Sequence, residues 1–325
     1  MNRKATVSAF LAEAGWGNAR REPLAGDASF RRYVRLRRNG ETAMLMDAPP
    51  PEEDVRPFMA VAARLTELGL SAPRVDRANP VHGLLLLEDF GDDTFTRLLE
   101  RGESEEELYL LAADTLIALQ RRPDAADGYP TFGEDRFLAG AELFLDWYLP
   151  AAGREAPDRE SFRAAMRQVL APALAGPETL MLRDYHVDNL IRLDGRIGTA
   201  ACGLLDFQDA ARGPAAYDLA SLIEDARRDV DESVRAAVLA RYRAAFPGAV
   251  ELDRDIAVLG AQRHIRVLGT FMRLARRDSK PGYMRHLPRL RRMLERNLAH
   301  PSLEPLAAWF RRNVSADLRI PPVAE

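Results

Sequence analysis

The chain changes character once, near residue 90, and that change narrows the folds open to it more than any other feature. Before it, short β-like runs at 22–25, 30–37 and 42–46 are separated by Gly26-Asp27 and Asn39-Gly40. Asn-Gly between such runs is a strong hairpin signal. Pro49-Pro50-Pro51 breaks the third run, and residues 52–68 then carry Val55, Met59, Ala62, Ala63 and Leu65 at a helical period closed by Gly69. Two more short strands are expected at 74–78 and 83–88, giving a five-stranded, mostly antiparallel sheet with one long inserted helix. From Thr94 onward the pattern is helical, with segments near 104–120, 135–149 and 158–173, interrupted only around 180–205. There 191–193 and 199–205 flank Asp194-Gly195, a second hairpin signal, and the rest from Tyr217 is helical again. A sheet-rich beginning followed by segregated helices is the mark of an α+β protein.

At 325 residues the chain exceeds one typical domain core, so two lobes are expected. No run approaches the roughly 20 apolar residues that span a bilayer, and the first segment carries Glu13 inside its short apolar patch, so it reads as an amphipathic helix rather than an export signal. The single cysteine, Cys202, cannot form an intrachain disulfide, and a reducing cytoplasm fits best. A net charge of -3 offers no clustered positive excess for nucleic acid. No membrane association or protein partner is expected. Among the 46 basic residues only Lys4 and Lys280 are lysines, so a phosphate contact that a lysine would make falls to arginine or is missing.

The chemistry is concentrated in Leu182-Arg-Asp-Tyr-His-Val-Asp-Asn189, a hairpin, and Gly203-Leu-Leu-Asp206-Phe-Gln-Asp209. An aspartate five residues ahead of an asparagine, with a hairpin leading to a second aspartate at the end of an apolar strand, matches a kinase catalytic loop and metal-binding loop. Phosphoryl transfer needs a carboxylate to orient the attacking hydroxyl and accept its proton, which suits Asp184. It also needs hard oxygen ligands for magnesium (Mg2+), which Asn189 and Asp206 supply without cancelling the ion's charge.

The segment 183–189 resembles the His-Gly-Asp-x-x-x-x-Asn signature of the aminoglycoside phosphotransferase family, and 205–220 resembles its continuation, with Asp218 matching an aspartate that buttresses the catalytic loop from a helix start. More narrowly, Gly26-Asp-Ala-Ser-Phe-Arg-Arg-Tyr33, Met46-Asp-Ala-Pro-Pro50 and Asp206-Phe-Gln-Asp-Ala210 resemble the anomeric kinases of N-acetylated amino sugars in cell-wall recycling. The resemblance implies a protein-kinase-like two-lobe fold, with a small β-rich nucleotide-binding lobe over 1–90 and a larger helical lobe over 91–325 holding the acceptor. It implies ATP and magnesium as cofactors and a small sugar as substrate. Gly26 and Ser29 would lie in the loop over the phosphates, and the backbone from Glu88 to Phe90 would meet the adenine edge in the cleft between the lobes.

Two departures stand out. The His-Gly of the signature is Leu182-Arg183 here, which alters loop packing while leaving the base and metal positions filled. On the third strand, where kinases place a phosphate-pairing lysine, the sequence reads Met44-Leu45-Met46-Asp47, so either Arg31, Arg32 or Arg35 supplies the cation from the loop and second strand, which is the preferred reading, or the site works with backbone donors and magnesium alone. Rival readings keep the scaffold but change the acceptor to an aminoglycoside or choline-like molecule, or make the chain a nucleotide-holding pseudokinase. His186 stays unassigned between a substrate contact and a turn cap, Cys202 reads as a small buried hydrophobe, and Asp92-Asp93 as either a turn or a ligand contact. The arginine-rich stretch 263–296 is open between a pocket wall for an anionic sugar and a solvated helix face, and its spacing favours the solvated face.

Overall fold

The computed structural model describes residues 2–24, 30–154 and 158–314. The chain forms two compact units, Met1–Ser104 with Val187–Ala210 and Glu105–His186 with Ala211–Glu325.

The first unit starts with α1 (Arg3–Glu13), β1 (Arg20–Pro23), β2 (Arg32–Arg38), β3 (Glu41–Asp47), α2 (Arg56–Glu67), β4 (Val75–Asn79), β5 (Leu84–Leu87) and α3 (Phe95–Glu100). The five strands form one antiparallel sheet in the order β1-β2-β3-β5-β4. The β2–β3 turn puts Asn39 at φ 47° and Gly40 at φ 80°. A two-residue hairpin of the favoured type needs positive φ at both central positions, which is why Asn-Gly marks it in the sequence. Strand alternation sends Leu36, Ala43, Leu45, Leu84 and Leu86 into one core with Val7, Phe10 and Leu11 of α1 and with Trp16. Leu85 and Leu87 are buried as well, so β5 is apolar on both faces.

The chain then builds α4 (Glu105–Gln120), α5 (Glu134–Leu143), a π-helical turn over Phe144–Tyr148, the short α6 (Leu149–Ala151), α7 (Arg159–Leu174) and β6 (Glu178–Met181). It returns to the first unit for β7 (Leu190–Arg192) and β8 (Cys202–Leu204), an antiparallel pair, before completing the second. That completion comprises β9 (Ala211–Pro214), α8 (Ala216–Ile223), α9 (Glu232–Ala245), α10 (Leu252–Arg276), α11 (Leu287–Leu298) and α12 (Glu304–Asn313). Helix α10 is the axis of this unit and is buried along most of its length. Its glycines explain how closely it is packed. A Cβ on Gly269 would lie 2.2 Å from the carbonyl carbon of Leu143, and one on Gly260 would lie 2.5 Å from the Glu224 carboxylate.

A sheet-rich unit and a helical unit make the α+β protein the sequence implies. Strand limits moved by one to three residues, and the expected strand at 199–205 is a 3-10 turn, Gly198–Ala201, followed by the shorter β8. The pairing of β6 with β9 has no counterpart in the sequence reading, because β9 is Ala-Arg-Gly-Pro, residues that signal a turn. No helix among the described residues is long and apolar enough to cross a membrane.

Candidate active site

In the second unit, β6 ends at Met181 and delivers the chain into Leu182, Arg183 and Asp184. The turn is held from within. One carboxylate oxygen of Asp218, fully buried near the start of α8, accepts from the Leu182 N–H at 2.6 Å and the other from the Arg183 N–H at 2.8 Å. Burial pushes the Asp218 carboxyl up to about 7, against the two backbone donors that favour its ionised form. Arg183 takes φ 75° at the position where the family signature has glycine. A non-glycine residue there is strained, and it is secured by the Asp218 bond and by its guanidinium lying 4.9 Å over the Phe132 ring. Asp184 follows, half-buried, with Arg266 Nη2 at 4.0 Å from its Oδ1.

In the first unit, β7 and β8 bring the two magnesium candidates to one end of a hairpin. The Leu205 N–H donates to the Asn189 carbonyl at 2.9 Å, so Asn189 and Asp206 stand at facing strand ends. Asp206 is exposed and adopts φ 54°, a left-handed conformation that turns its side chain out of the strand path. Gln208 Nε2 donates to its Oδ1 at 2.9 Å, and next in the chain Phe207 is anchored by stacking on Phe58 of α2 at 4.9 Å. Among the described residues no three His, Cys, Asp or Glu side chains gather to cage a metal. One amide and one carboxylate oxygen suit magnesium nonetheless, because that ion keeps several waters and takes one or two protein ligands alongside substrate phosphates.

The three candidate arginines separate clearly. Arg35 is inside the first unit: its Nε lies 2.7 Å from Asp89 with the two side chains only 6% and 4% exposed, and it also binds Asp92 at 2.6 Å and the Gly91 carbonyl at 2.9 Å. Those bonds commit it to pinning the segment after β5. Arg32 is exposed on β2, opposite Asp47. Arg31 donates to Glu53 at 2.9 Å and lies 3.8 Å from the Asp206 Oδ1. A cation beside the candidate magnesium carboxylate, oriented by a second carboxylate just before α2, is the arrangement a phosphate-pairing group needs.

Glu88 donates its N–H to the Arg74 carbonyl at 2.9 Å. Its carboxylate binds Arg196, whose guanidinium lies 5.3 Å over Phe90. Phe90 rests on β8, where a Cβ at Gly203 would come within 2.9 Å of its ring. Gly26 and Ser29, the expected phosphate-loop residues, lie outside the described residues, as does Asp27. Asp92 and Asp93 are ion-paired with Arg97 and Arg101, at 3.0 and 2.6 Å, and Asp92 also holds Arg35. Cys202 is fully buried in β8.

The sequence gives no part to Glu53 or Arg196. Its spacing favours a solvated face for the arginines from 263 on, yet Arg263 is only 2% exposed. Arg263 sits with Arg266 and Arg227 around His186, and Arg227 Nη1 is 3.1 Å from His186 Nε2. Burial and then these three guanidiniums depress the His186 pKa well below its usual range, so the imidazole is neutral. An arginine at i and another at i+3 on α10 was the only sequence signal for this cluster.

Comparison with known proteins bears on the whole chain. The family described as "Phosphotransferase enzyme family" matches residues 20–254. An N-acetylmuramate/N-acetylglucosamine kinase of Caulobacter vibrioides is 38% identical, with 98% of each chain covered. A kinase of the same name from Pseudomonas aeruginosa is 36% identical over 91% of this chain and 90% of its own. Among solved structures, a choline/ethanolamine kinase family protein from Mesorhizobium loti superposes with a TM-score of 0.62, covering 95% of this chain and 99% of that one at 17% identity.

Proposed function

Because this chain belongs to the phosphotransferase enzyme family, we propose that it is an ATP-dependent kinase that phosphorylates the anomeric hydroxyl of N-acetylmuramate, N-acetylglucosamine or both. The observation that carries this reading is the 38% identity to an N-acetylmuramate/N-acetylglucosamine kinase along 98% of both chains. The protein-kinase-like α+β fold agrees with it. Recovery of those two sugars belongs to cell-wall recycling, and the reading takes a cytoplasmic enzyme with free sugar as its substrate.

In the mechanism, Asp184 orients the acceptor hydroxyl and takes its proton as the new oxygen–phosphorus bond forms. Asn189 and Asp206 would hold magnesium, which would supply positive charge to neutralise the triphosphate. Arg31, fixed by Glu53, supplies the cation that β3 lacks and pairs with the phosphates. Asp218 keeps the backbone of Leu182 and Arg183 in place, so that Asp184 leaves the strand at a fixed angle. Residues 1–90 bind the nucleotide, with the Glu88 to Phe90 backbone at the adenine and Arg31 toward the phosphates, while 91–325 carry the base and the acceptor.

The test is a product assay. Purified enzyme with ATP and magnesium should convert N-acetylmuramate or N-acetylglucosamine into a sugar bearing phosphate on C1, read by the phosphorus–proton coupling of the anomeric position. Phosphate on another carbon, or turnover only of an aminoglycoside or choline, removes the proposal.

A further inference from the structure

We propose that Arg227, Arg263 and Arg266 form the subsite that receives the acceptor's carboxylate, so that the second unit recognises N-acetylmuramate by its charge. This rests on the amino-sugar kinase reading above and adds to it which residues tell the two sugars apart.

The geometry starts from the base. Arg266 Nη2 is 4.0 Å from the Asp184 Oδ1, so a hydroxyl presented to Asp184 has a guanidinium beside it. The lactyl carboxylate of N-acetylmuramate hangs from O3 of the same ring whose C1 hydroxyl reacts. Binding the hydroxyl at Asp184 therefore leaves the carboxylate within a ring's breadth, on the scale of the arginine cluster. Arg227 and Arg266 have side chains 26% and 18% exposed, open enough to meet a ligand.

Arg263 supplies the second, independent observation. It is fully buried, and its Nε and Nη1 donors have no hydrogen-bond partner among the described residues. A buried guanidinium with unmade donors is costly unless an anion completes the arrangement. The acidic groups that face it are largely engaged. Asp218 spends both oxygens on backbone N–H groups, Asp225 spends one of its oxygens on the Arg227 N–H at 2.9 Å, and Asp184 is reserved for the acceptor proton. His186, at the centre of the three arginines, is neutral and adds no positive charge. The carboxylate of an acceptor fits this surplus of donors, with Arg227 and Arg266 touching it and Arg263 as a positioning residue behind them. A neutral N-acetylglucosamine can use the same site, its missing carboxylate replaced by water.

The experiment measures kcat/KM for N-acetylmuramate, its methyl ester and N-acetylglucosamine in the wild type, Arg227→Gln and Arg266→Gln. The readout is the ratio of N-acetylmuramate to N-acetylglucosamine. Any loss common to both sugars, such as a disturbed Asp184, divides out of it. The ratio should fall about 30-fold or more in each variant, as when one partner of a charge-assisted pair is removed, mainly through KM. The wild type should show a similar drop on going from the acid to its methyl ester, and the variants should be nearly indifferent to esterification. A ratio within threefold of wild type in both variants, or an ester as good as the acid, overturns the subsite and leaves the kinase reading intact. Wild-type enzyme that phosphorylates neither sugar overturns both.

Discussion

The loop that carries Asp184 and the hairpin end that carries Asp206 each contain a residue forced to positive φ, yet they are held by opposite means. In the first, the strained residue is Arg183, one position before the base, and a buried carboxylate grips its backbone. In the second, the strained residue is the proposed metal ligand itself, exposed, and the grip comes from strand pairing and the stack of Phe207 on Phe58. A proton acceptor must keep one angle through every turnover, which favours an internal brace. A metal ligand must stay open to an ion arriving with its waters, which favours support from strand pairing and neighbouring side chains over a buried clamp.

The largest effect is expected at the base. Asp184→Asn should lower kcat by about 10³-fold, with nucleotide binding by titration calorimetry unchanged. A loss under tenfold would mean that the braced loop is not where the proton goes. The brace itself has a pH signature. Its carboxyl is raised from 3.8 to about 7 in the folded protein, so between those values the folded state keeps a proton that the unfolded chain has lost. Stability from this group is therefore full below pH 3.8 and lost as pH rises through about 7. In chemical denaturation, the stability advantage of wild type over Asp218→Asn should shrink from pH 4 to 8, by at most ~4 kcal/mol. His264, driven down to about 3 by burial, acts in the opposite sense but equally in both proteins. A difference that is flat with pH would show that Asp218 is ionised throughout and that the brace is electrostatic.

Much of this was legible in advance because the signals are local. Asn39-Gly40 fixed a hairpin through the φ values that those residues tolerate, and spacing along one segment singled out 184–189 with 206 as candidates, of which Asn189 and Asp206 stand at facing strand ends. What stayed hidden depends on residues distant in sequence. Glu53 meets Arg31 across 22 positions, and Arg196 meets Glu88 across 108. The burial of Arg263 follows from α10 being wrapped on several sides, which periodicity along one helix does not reveal. The family signature's glycine at position 183 also takes on meaning only with coordinates. Its replacement by arginine keeps the left-handed turn and adds a stack on Phe132.

Two arginines of the first unit extend the contrast, Arg35 bracing the segment after β5 and Arg31 proposed to act beside Asp206. Arg35→Met removes the cation from a nearly sealed pair and leaves the Asp89 carboxylate buried and uncompensated, which should cost about 3 kcal/mol of stability, seen as a lower denaturation midpoint, while kcat at saturating ATP changes little. Arg31→Met should do the reverse. Arg31 and Glu53 are partly open to solvent, at 13% and 12%, so losing their bond costs stability about 1 kcal/mol or less. The function at stake is larger: a guanidinium 3.8 Å from the Asp206 carboxylate is placed to pair with phosphate oxygens as charge develops, and its loss should lower kcat about tenfold. Arg31→Lys should recover part of that loss, since a point charge can still pair with phosphate, and Glu53→Gln should reproduce a fraction of it by freeing Arg31 to wander. If Arg31→Met leaves kcat unaltered while Arg35→Met abolishes it, the roles given to the two arginines are reversed, and the cation that replaces the third-strand lysine is the buried one.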